Sequence, residues 1–514
     1  MHKQSIKFMA IFLIFALMSA LLSCTANPQK EQDGRNGSAD GENNAAEKET
    51  ANEEPEAERP NIPDGTNYGG YEFRVLVPDP GYIGVIDEIY AESETGDTMN
   101  DAVYKRNRLV ENMLDIKINP IIGPSGHWLV DLPVYARKII QAGDDAFDIA
   151  DGVYQPPLAF AGCLENLYDI PNMDLTKPWW DQRMIGDLSY KKGQLYYIIG
   201  DMGYFGMTGV SCTIFNKNLM ADLGLDYPYN AVREGQWTFD EYAKLVKAAS
   251  RDLDGDGIMD ASDQWGSYGN SGTVIWSMLG CGEKIVSLDS GGVPFLNSLS
   301  ERHIQVVTAL SDLTSDANHF LLAENIKGFS DPYDALDAAR RESRILFFGS
   351  TIAGIPSFRD YEYDFGIIPH PKFNESQKEY CSPATSYSGS SAFSVPVTNP
   401  DPERTGMILE ALSGYSTDII IPALMDVALK SKFTRDEESA EMIELILKTK
   451  SFDIVMEYGW AYGGNKLVWN DLYWDVYSVL TLKGADTFVS EIEKQLGKSE
   501  NDLEKFMDTF DEFK

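Results

Sequence analysis

Residues 252–263 read DLDGDGIMDASD, which places five carboxylates and two glycines in one short loop. Left unpaired, carboxylates this close repel one another, whereas a hard divalent cation gathers several oxygen ligands into a small shell. The spacing fits a calcium loop. Asp252, Asp254 and Asp256 take positions 1, 3 and 5, and Gly257 takes the sharp turn at 6. The Ile258 carbonyl follows at 7, Asp260 at 9 and Asp263 at 12. Position 12 is the short Asp and no second loop pairs with this one, so the Ca2+ expected here is a structural clamp and not a switch.

Other chemistry leaves no comparable signature. The histidines (His2, His127, His303, His319 and His370) are scattered without metal spacing, and no G-x-S-x-G, H-E-x-x-H or P-loop occurs. Glycoside hydrolysis needs two carboxylates flanking a bond, one of them with a raised pKa. Among 80 acidic residues no such pair stands out. Cys163, Cys212, Cys281 and Cys381 are widely spaced, with no C-x-x-C. They allow three disulfide pairings, and buried free thiols account for them at least as well. A net charge of −37 offers no basic face for a phosphate backbone, which argues against nucleic acid.

An α/β framework is expected to hold these residues. YEFRVLV (71–77) alternates as a strand, residues 99–114 form a helix, IKINPII is a second strand and 134–141 is helical. FDIADGV (147–153) suits a buried parallel strand. Residues 344–350, 363–369 and 391–397 read as later strands. Helices are expected near 302–314, 331–342, 402–413 and 440–448, and from 479 onward. Asp401 before Pro402 is a helix start, and Thr238 with Glu241 forms a capping box that opens the helix leading into the acidic loop. Strands alternating with helices argue layered α/β domains, and the length of the chain argues two of them.

The first residues are a leader and not part of the fold. Lys3 and Lys7 precede an apolar run from Phe8 to Leu22, too short to span a membrane comfortably. Leu21-Leu22-Ser23-Cys24 resembles the bacterial lipobox, so residues 1–23 are expected to be removed and Cys24 acylated. Residues 24–67 are acidic and poor in large apolar side chains, as suits a solvated tether. No later stretch is expected to approach a membrane span.

The segment WTFDEYAKLVKAASRDLDGDGIMDASDQWG (237–266) resembles the extracellular solute-binding proteins of the maltose-binding-protein-like class. LENLYDI, KPWWDQ, GQLYYIIGD, TIFNKNLMADLGLDYPYNAVREGQWT, FGIIPHPK and VPVTNPDPERTGMILEAL agree with it, in the order that family shows. The likeness covers essentially the whole chain after the tether. It implies a two-lobed periplasmic-binding-protein-like α/β fold with a hinged cleft, lobe one being 68–201 with 349–413 and lobe two 202–348 with 414–514. It also implies an extracellular, lipid-anchored, monomeric capture subunit that binds a carbohydrate, an oligosaccharide by preference, for the permease subunits of an ABC importer, without catalysis. The alternatives are a secreted glycoside-active enzyme and a calcium-stabilised surface carbohydrate-binding protein. A β-sandwich pattern typical of adhesins is missing.

A sugar site needs aromatic platforms and converging hydrogen-bond groups. Trp237 and Trp265 flank the acidic-loop helix and read as structural, and Trp128 has no informative context. Tyr154 and Gln155 follow a strand end, where ligands gather in this fold class. By resemblance, Trp180, Tyr204 with Phe205, Asn270, Trp276, Trp460, Trp469 and Trp474 are the further candidates for ligand contact. The anchor is directly testable. Cys24→Ala is expected to leave the protein unprocessed or to release it from the membrane fraction, and a lipid-free mature N-terminus well past Cys24 would refute it.

Overall fold

The computed structural model describes residues 58–513 apart from 82–84, 128, 328–330, 359, 386–390, 431–436 and 459–475, with backbone only at 428–430 and 482–483. The first sheet grows from strand β1 (Tyr71–Val77), whose inward side chains Phe73, Val75 and Val77 are buried. Helix Thr98–Leu114 follows, its first turn capped by the Asp97 carboxylate, which accepts from the Met99 and Asn100 amides. Strand β2 (Ile116–Ile122), helix Asp131–Gln141 and strand β3 (Ile149–Asp151) come next. β1 pairs in parallel with β2 on one side and with β3 on the other. Parallel neighbours joined through helices are what the alternating pattern predicts.

The second sheet begins with β4 (Ser211–Asn216) and β5 (Trp265–Gly269). A small hairpin of β6 (Val286–Leu288) and β7 (Pro294–Leu296) intervenes before β8 (Phe320–Leu322), β9 (Ile345–Thr351) and β10 (Phe365–Ile368). The strand order is β10-β4-β9-β5-β8, with β5 parallel to β8 and β9, and β4 antiparallel to β9 and β10. β11 (Ser382–Pro383) follows, then β12 (Phe393–Ser394) returns to the first sheet, antiparallel to β3. β13 (Lys450–Ser451) pairs with β11. Among the described residues, two strand-to-strand connections join the sheets, and they pair with each other near both ends. Ile198 bridges Phe393 at one end and Val210 bridges Ala384 at the other, both antiparallel.

Several expectations are corrected. The strand expected over 391–397 is only two residues long, because Pro396 cannot donate to a ladder. The helix beginning at Pro402 runs to Lys430, well past 413, so the expected lobe boundary at 413/414 falls inside it. Gly414 within it marks a close approach and not an end, since a Cβ there would lie 2.3 Å from Pro60 Cγ. Pro402–Val427 is also long and apolar enough to span a membrane, contrary to expectation, but most of its apolar window is buried and it packs on Thr98–Leu114. The C-terminal helix Phe488–Glu512 lays Phe506 and Phe510 against Phe160, Tyr190 and Tyr196, residues assigned by sequence to the other lobe. The capping box at Thr238 is not formed. The helix starts at Phe239, but the Thr238 side chain makes no cap hydrogen bond and Glu241 pairs with Lys244.

A buried polar cluster sits where the two connections leave the first sheet. The Glu88 carboxylate accepts from the Phe205 amide at 2.7 Å and from the Ser391 hydroxyl at 2.5 Å, one on each connection. Arg106, also buried, donates to the Glu88 carbonyl, the Met202 carbonyl and the Ser416 hydroxyl. Asp151, at the end of β3, is buried beside Glu88; neither of its oxygens makes a hydrogen bond of good geometry to a described residue, though the Gly152 amide and the Glu88 side chain lie near enough to oppose part of the rise in its pKa. Burial raises both carboxyls, and Asp201, on the same connection, is pushed up to about 7 by burial as well.

A carboxyl whose folded pKa lies above its unfolded value stabilises fully below the unfolded value, and that stability is lost as pH rises through the folded one. Burial lowers His370 to about 4, so its contribution runs the other way and is lost as pH falls. The melting temperature is therefore expected to decline as pH rises from about 4 to about 7, with His370 offsetting part of the decline below 6.5, and Asp151→Asn to flatten it. A profile of unchanged slope in the variant would contradict this account of the cluster.

Candidate functional site

The acidic loop lies between helix Phe239–Ala249 and β5. Asp252, Asp254 and Asp256 are exposed, and each brings a carboxylate oxygen within 4.8 Å of the others. Gly255 and Gly257 hold positive φ, +76° and +82°, and the Asp252 carboxylate accepts from both of their amides. Those amides lower the Asp252 pKa, so the anion persists at neutral pH. Asp263 is nearly fully buried and is taken up by the loop's own backbone, accepting from the Leu253 and Asp260 amides at 2.8 Å. Asp260 accepts from the Ser262 amide and hydroxyl. The sequence grouped all five carboxylates with the Ile258 carbonyl. The structure brings three together at the surface and uses the other two to brace the turn. Trp265 closes the loop as expected, its indole N–H donating to the Asp260 carbonyl at 2.8 Å, and the Arg344 guanidinium donates to the Ala261 and Asp263 carbonyls.

A cavity of about 380 Å³ opens at the carboxyl ends of β5 and β9. This is where ligands bind in open α/β sheets, because loops diverge there and leave a crevice. Gly269 and Asn270 come from the end of β5, Gly349 to Thr351 from the end of β9, and Ser211 and Thr213 from β4. Trp276 projects from helix Thr273–Gly280, and Tyr333 and Arg340 from helix Pro332–Arg341. Tyr268 and Phe348 stand ring over ring, 6.3 Å apart and 22° from parallel. Asn270 shapes the rim, accepting from the Gly272 amide and donating to the Tyr333 hydroxyl at 3.2 Å. On the wall, His370 Nε2 meets the Ser211 hydroxyl at 2.8 Å, and its lowered pKa leaves the imidazole neutral at pH 7. Aromatic faces, hydroxyls and an amide thus converge on one space, and no Asp or Glu is among the described residues that line it.

Of the residues expected at the site, Asn270 and Trp276 line this cavity. Tyr154 does not. It is fully buried and its hydroxyl donates to the Glu457 carbonyl. Gln155 is also buried, tying β3 to the returning chain by donating to the Ala150 and Ala392 carbonyls and accepting from Ser394. Trp180 is buried against Phe393 and donates to Glu410. Tyr204 stacks on Phe205 in the first connection, away from the cavity wall. Trp460, Trp469 and Trp474 lie outside the described residues. The four cysteines after Cys24 are free thiols. Sequence reasoning missed Tyr268, Tyr333, Arg340 and Phe348. It applied the strand-end rule to β3, whereas β5 and β9 carry the cavity.

No family model and no curated protein matches the sequence. Solved structures do match. A cyclo/maltodextrin-binding protein complexed with maltotetraose aligns with TM-score 0.52 and 13% identity, over 84% of this chain and 98% of that chain. A sugar transporter from Rhizobium etli in an open conformation gives TM-score 0.52 and 12% identity, over 80% and 95%. The galacto-N-biose/lacto-N-biose I-binding protein of the Bifidobacterium longum ABC transporter, in complex with lacto-N-biose, gives 0.50 and 15%, over 86% and 99%. This chain has the two-lobed α/β fold of solute-binding proteins that its sequence resemblance implies.

Proposed function

We propose that this chain captures a carbohydrate, a sugar or oligosaccharide, for an ABC importer, held outside the cell by acylated Cys24. The observation that carries this reading is the cavity at the carboxyl ends of β5 and β9, where Trp276, Tyr268 and Tyr333 meet hydroxyl and amide groups. Sugars present apolar C–H faces and many hydroxyls, and such a wall suits both. The fold's likeness to structures described as maltodextrin- and lacto-N-biose-binding supports the same class. The two adjacent connections suit a hinge, so a ligand touching both lobes favours the closed form by its differential affinity. Permease subunits are the partners that would recognise that form. The glycoside-active alternative needs two carboxylates at the bond, and none is among the described cavity residues.

The acidic loop is assigned a structural Ca2+. Its donor set is all oxygen, and the convergence of Asp252, Asp254 and Asp256 fits a hard cation. The Ile258 carbonyl, Asp260 and Asp263 complete the set only if the brace inside the turn rearranges. An ion that binds the native state alone stabilises by about 2.7 kcal/mol at a hundredfold excess over Kd. Chelator is expected to lower Tm, and Asp254→Ala to remove that sensitivity. Identical melts with and without calcium would take the ion out of the account.

Binding is measured by calorimetry and tryptophan fluorescence against an oligosaccharide panel. At least one member is expected to bind one-to-one without being cleaved and to compact the protein in solution scattering. Trp276→Ala is expected to weaken binding roughly 10- to 100-fold, on the order of 1–3 kcal/mol for loss of a stacked, buried ring. Cleavage of the bound sugar, or failure of every sugar while an amino acid or peptide binds, would overturn the carbohydrate-capture reading.

A further inference from the structure

Charge is distributed unevenly between this protein and its cavity. The chain carries 80 acidic residues and a net charge of −37, yet no carboxylate is among the described residues of the cavity wall. The one permanently charged group there is the Arg340 guanidinium, since His370 is neutral at pH 7. Neutral sugar hydroxyls are donors as well as acceptors, and a carboxylate is the strongest acceptor a wall can offer them. The described residues of this wall offer neutral acceptors, together with one cation.

Arg340 is also little used by the protein. Its one hydrogen bond among the described residues runs from Nη2 to Asp337 Oδ1 at 3.0 Å, out of five N–H donors available to a guanidinium. Nε is buried and has no hydrogen-bond partner among the described residues. Asp337 does not neutralise Arg340 alone, because its other oxygen accepts from Arg341 at 2.7 Å. The guanidinium is held 5.7 Å from the ring centres of both Tyr268 and Phe348 and 5.9 Å from that of Phe358, and the side chain keeps 20% of its surface exposed. Stacking on aromatic faces fixes the plane of an arginine while leaving its N–H edge to a ligand, a geometry suited to planar anions.

We propose that the cavity takes an acidic sugar, with Arg340 as the specificity-determining residue that pairs with a uronate carboxylate while the aromatic residues bear on the ring. This rests on the carbohydrate-capture reading and narrows it. Against a net charge of −37, an anionic ligand gains from a site whose wall adds no further repulsion and supplies a half-sheltered cation, where screening by solvent is weakest.

The test uses the whole mature protein and matched pairs: trigalacturonate with galactotriose, and a glucuronate-bearing xylotetraose with its carboxyl-reduced form. The members of each pair differ only in carboxylate against CH2OH, at three positions in the first pair and at one in the second. At least one acid is expected to bind roughly 10- to 100-fold more tightly than its neutral partner, the range of a charge-assisted hydrogen-bond pair, and to weaken as salt is raised. Arg340→Gln is expected to collapse that ratio, and Arg340→Lys to restore part of it. The wild-type ratio decides the matter even if a variant does not fold. If neutral sugars bind as tightly as the acids, or the preference survives in Arg340→Gln, the acidic-sugar assignment falls while carbohydrate capture stands. If no carbohydrate of either kind binds, both fall.

Discussion

A buried carboxylate fixes the place where the two sheets are joined. Glu88 reaches from the first sheet's side to the Phe205 amide on one connection and to the Ser391 hydroxyl on the other. An ionisable group out of water costs several kcal/mol unless it is paired and hydrogen-bonded, and removing one partner leaves that cost uncompensated. Arg106 supplies the opposite charge and spreads it over the Glu88 and Met202 carbonyls and the Ser416 hydroxyl. The cluster is therefore cooperative, because each member is satisfied only if the others are in place. Asp151, buried alongside with its pKa raised by that burial, makes the balance of protons part of the same constraint.

On the side of the second sheet the two connections pair again, where Val210 meets Ala384. Gly209 and Ser211 on one and Thr385 on the other then become part of the cavity wall. One end of this ribbon is clamped by buried charge and the other is floor for a ligand. Any bend in it changes the cavity's relation to the first sheet.

The cavity and the acidic loop are separate devices on one strand. β5 carries Trp265 at its start, where the indole braces the loop, and Gly269 at its end, where the cavity opens. The loop fixes the strand's entry and the ligand groups lie at its exit. Carboxylates crowd the first and are missing from the described wall of the second. The surface of a strongly acidic protein and the chemistry of its pocket are thus set independently.

The sequence alone determined what depends on neighbours along the chain. Alternation in YEFRVLV specifies β1, and the Asp401-Pro402 start specifies where a helix begins, with the Asp401 carboxylate accepting from the Arg404 amide. The residues of 252–263 specify a tight acidic turn because its hydrogen bonds join residues two to ten positions apart. Only the tertiary structure decided which polar and aromatic residues meet. Tyr154, Gln155 and Trp180 look like ligand residues by type, but all three are buried: the Tyr154 hydroxyl is spent on the Glu457 carbonyl, the Gln155 amide on the Ala392 carbonyl and the Ser394 hydroxyl, and Phe393 packs against Trp180. Arg340 looks like one more surface charge on a helix, and becomes a cavity residue because β5 and β9 bring Tyr268 and Phe348 beneath it. Local spacing sets backbone conformation, whereas the burial of Tyr154 and Gln155 and the meeting of Arg340 with Tyr268 are set by segments far apart in the chain, whose meeting no local pattern records.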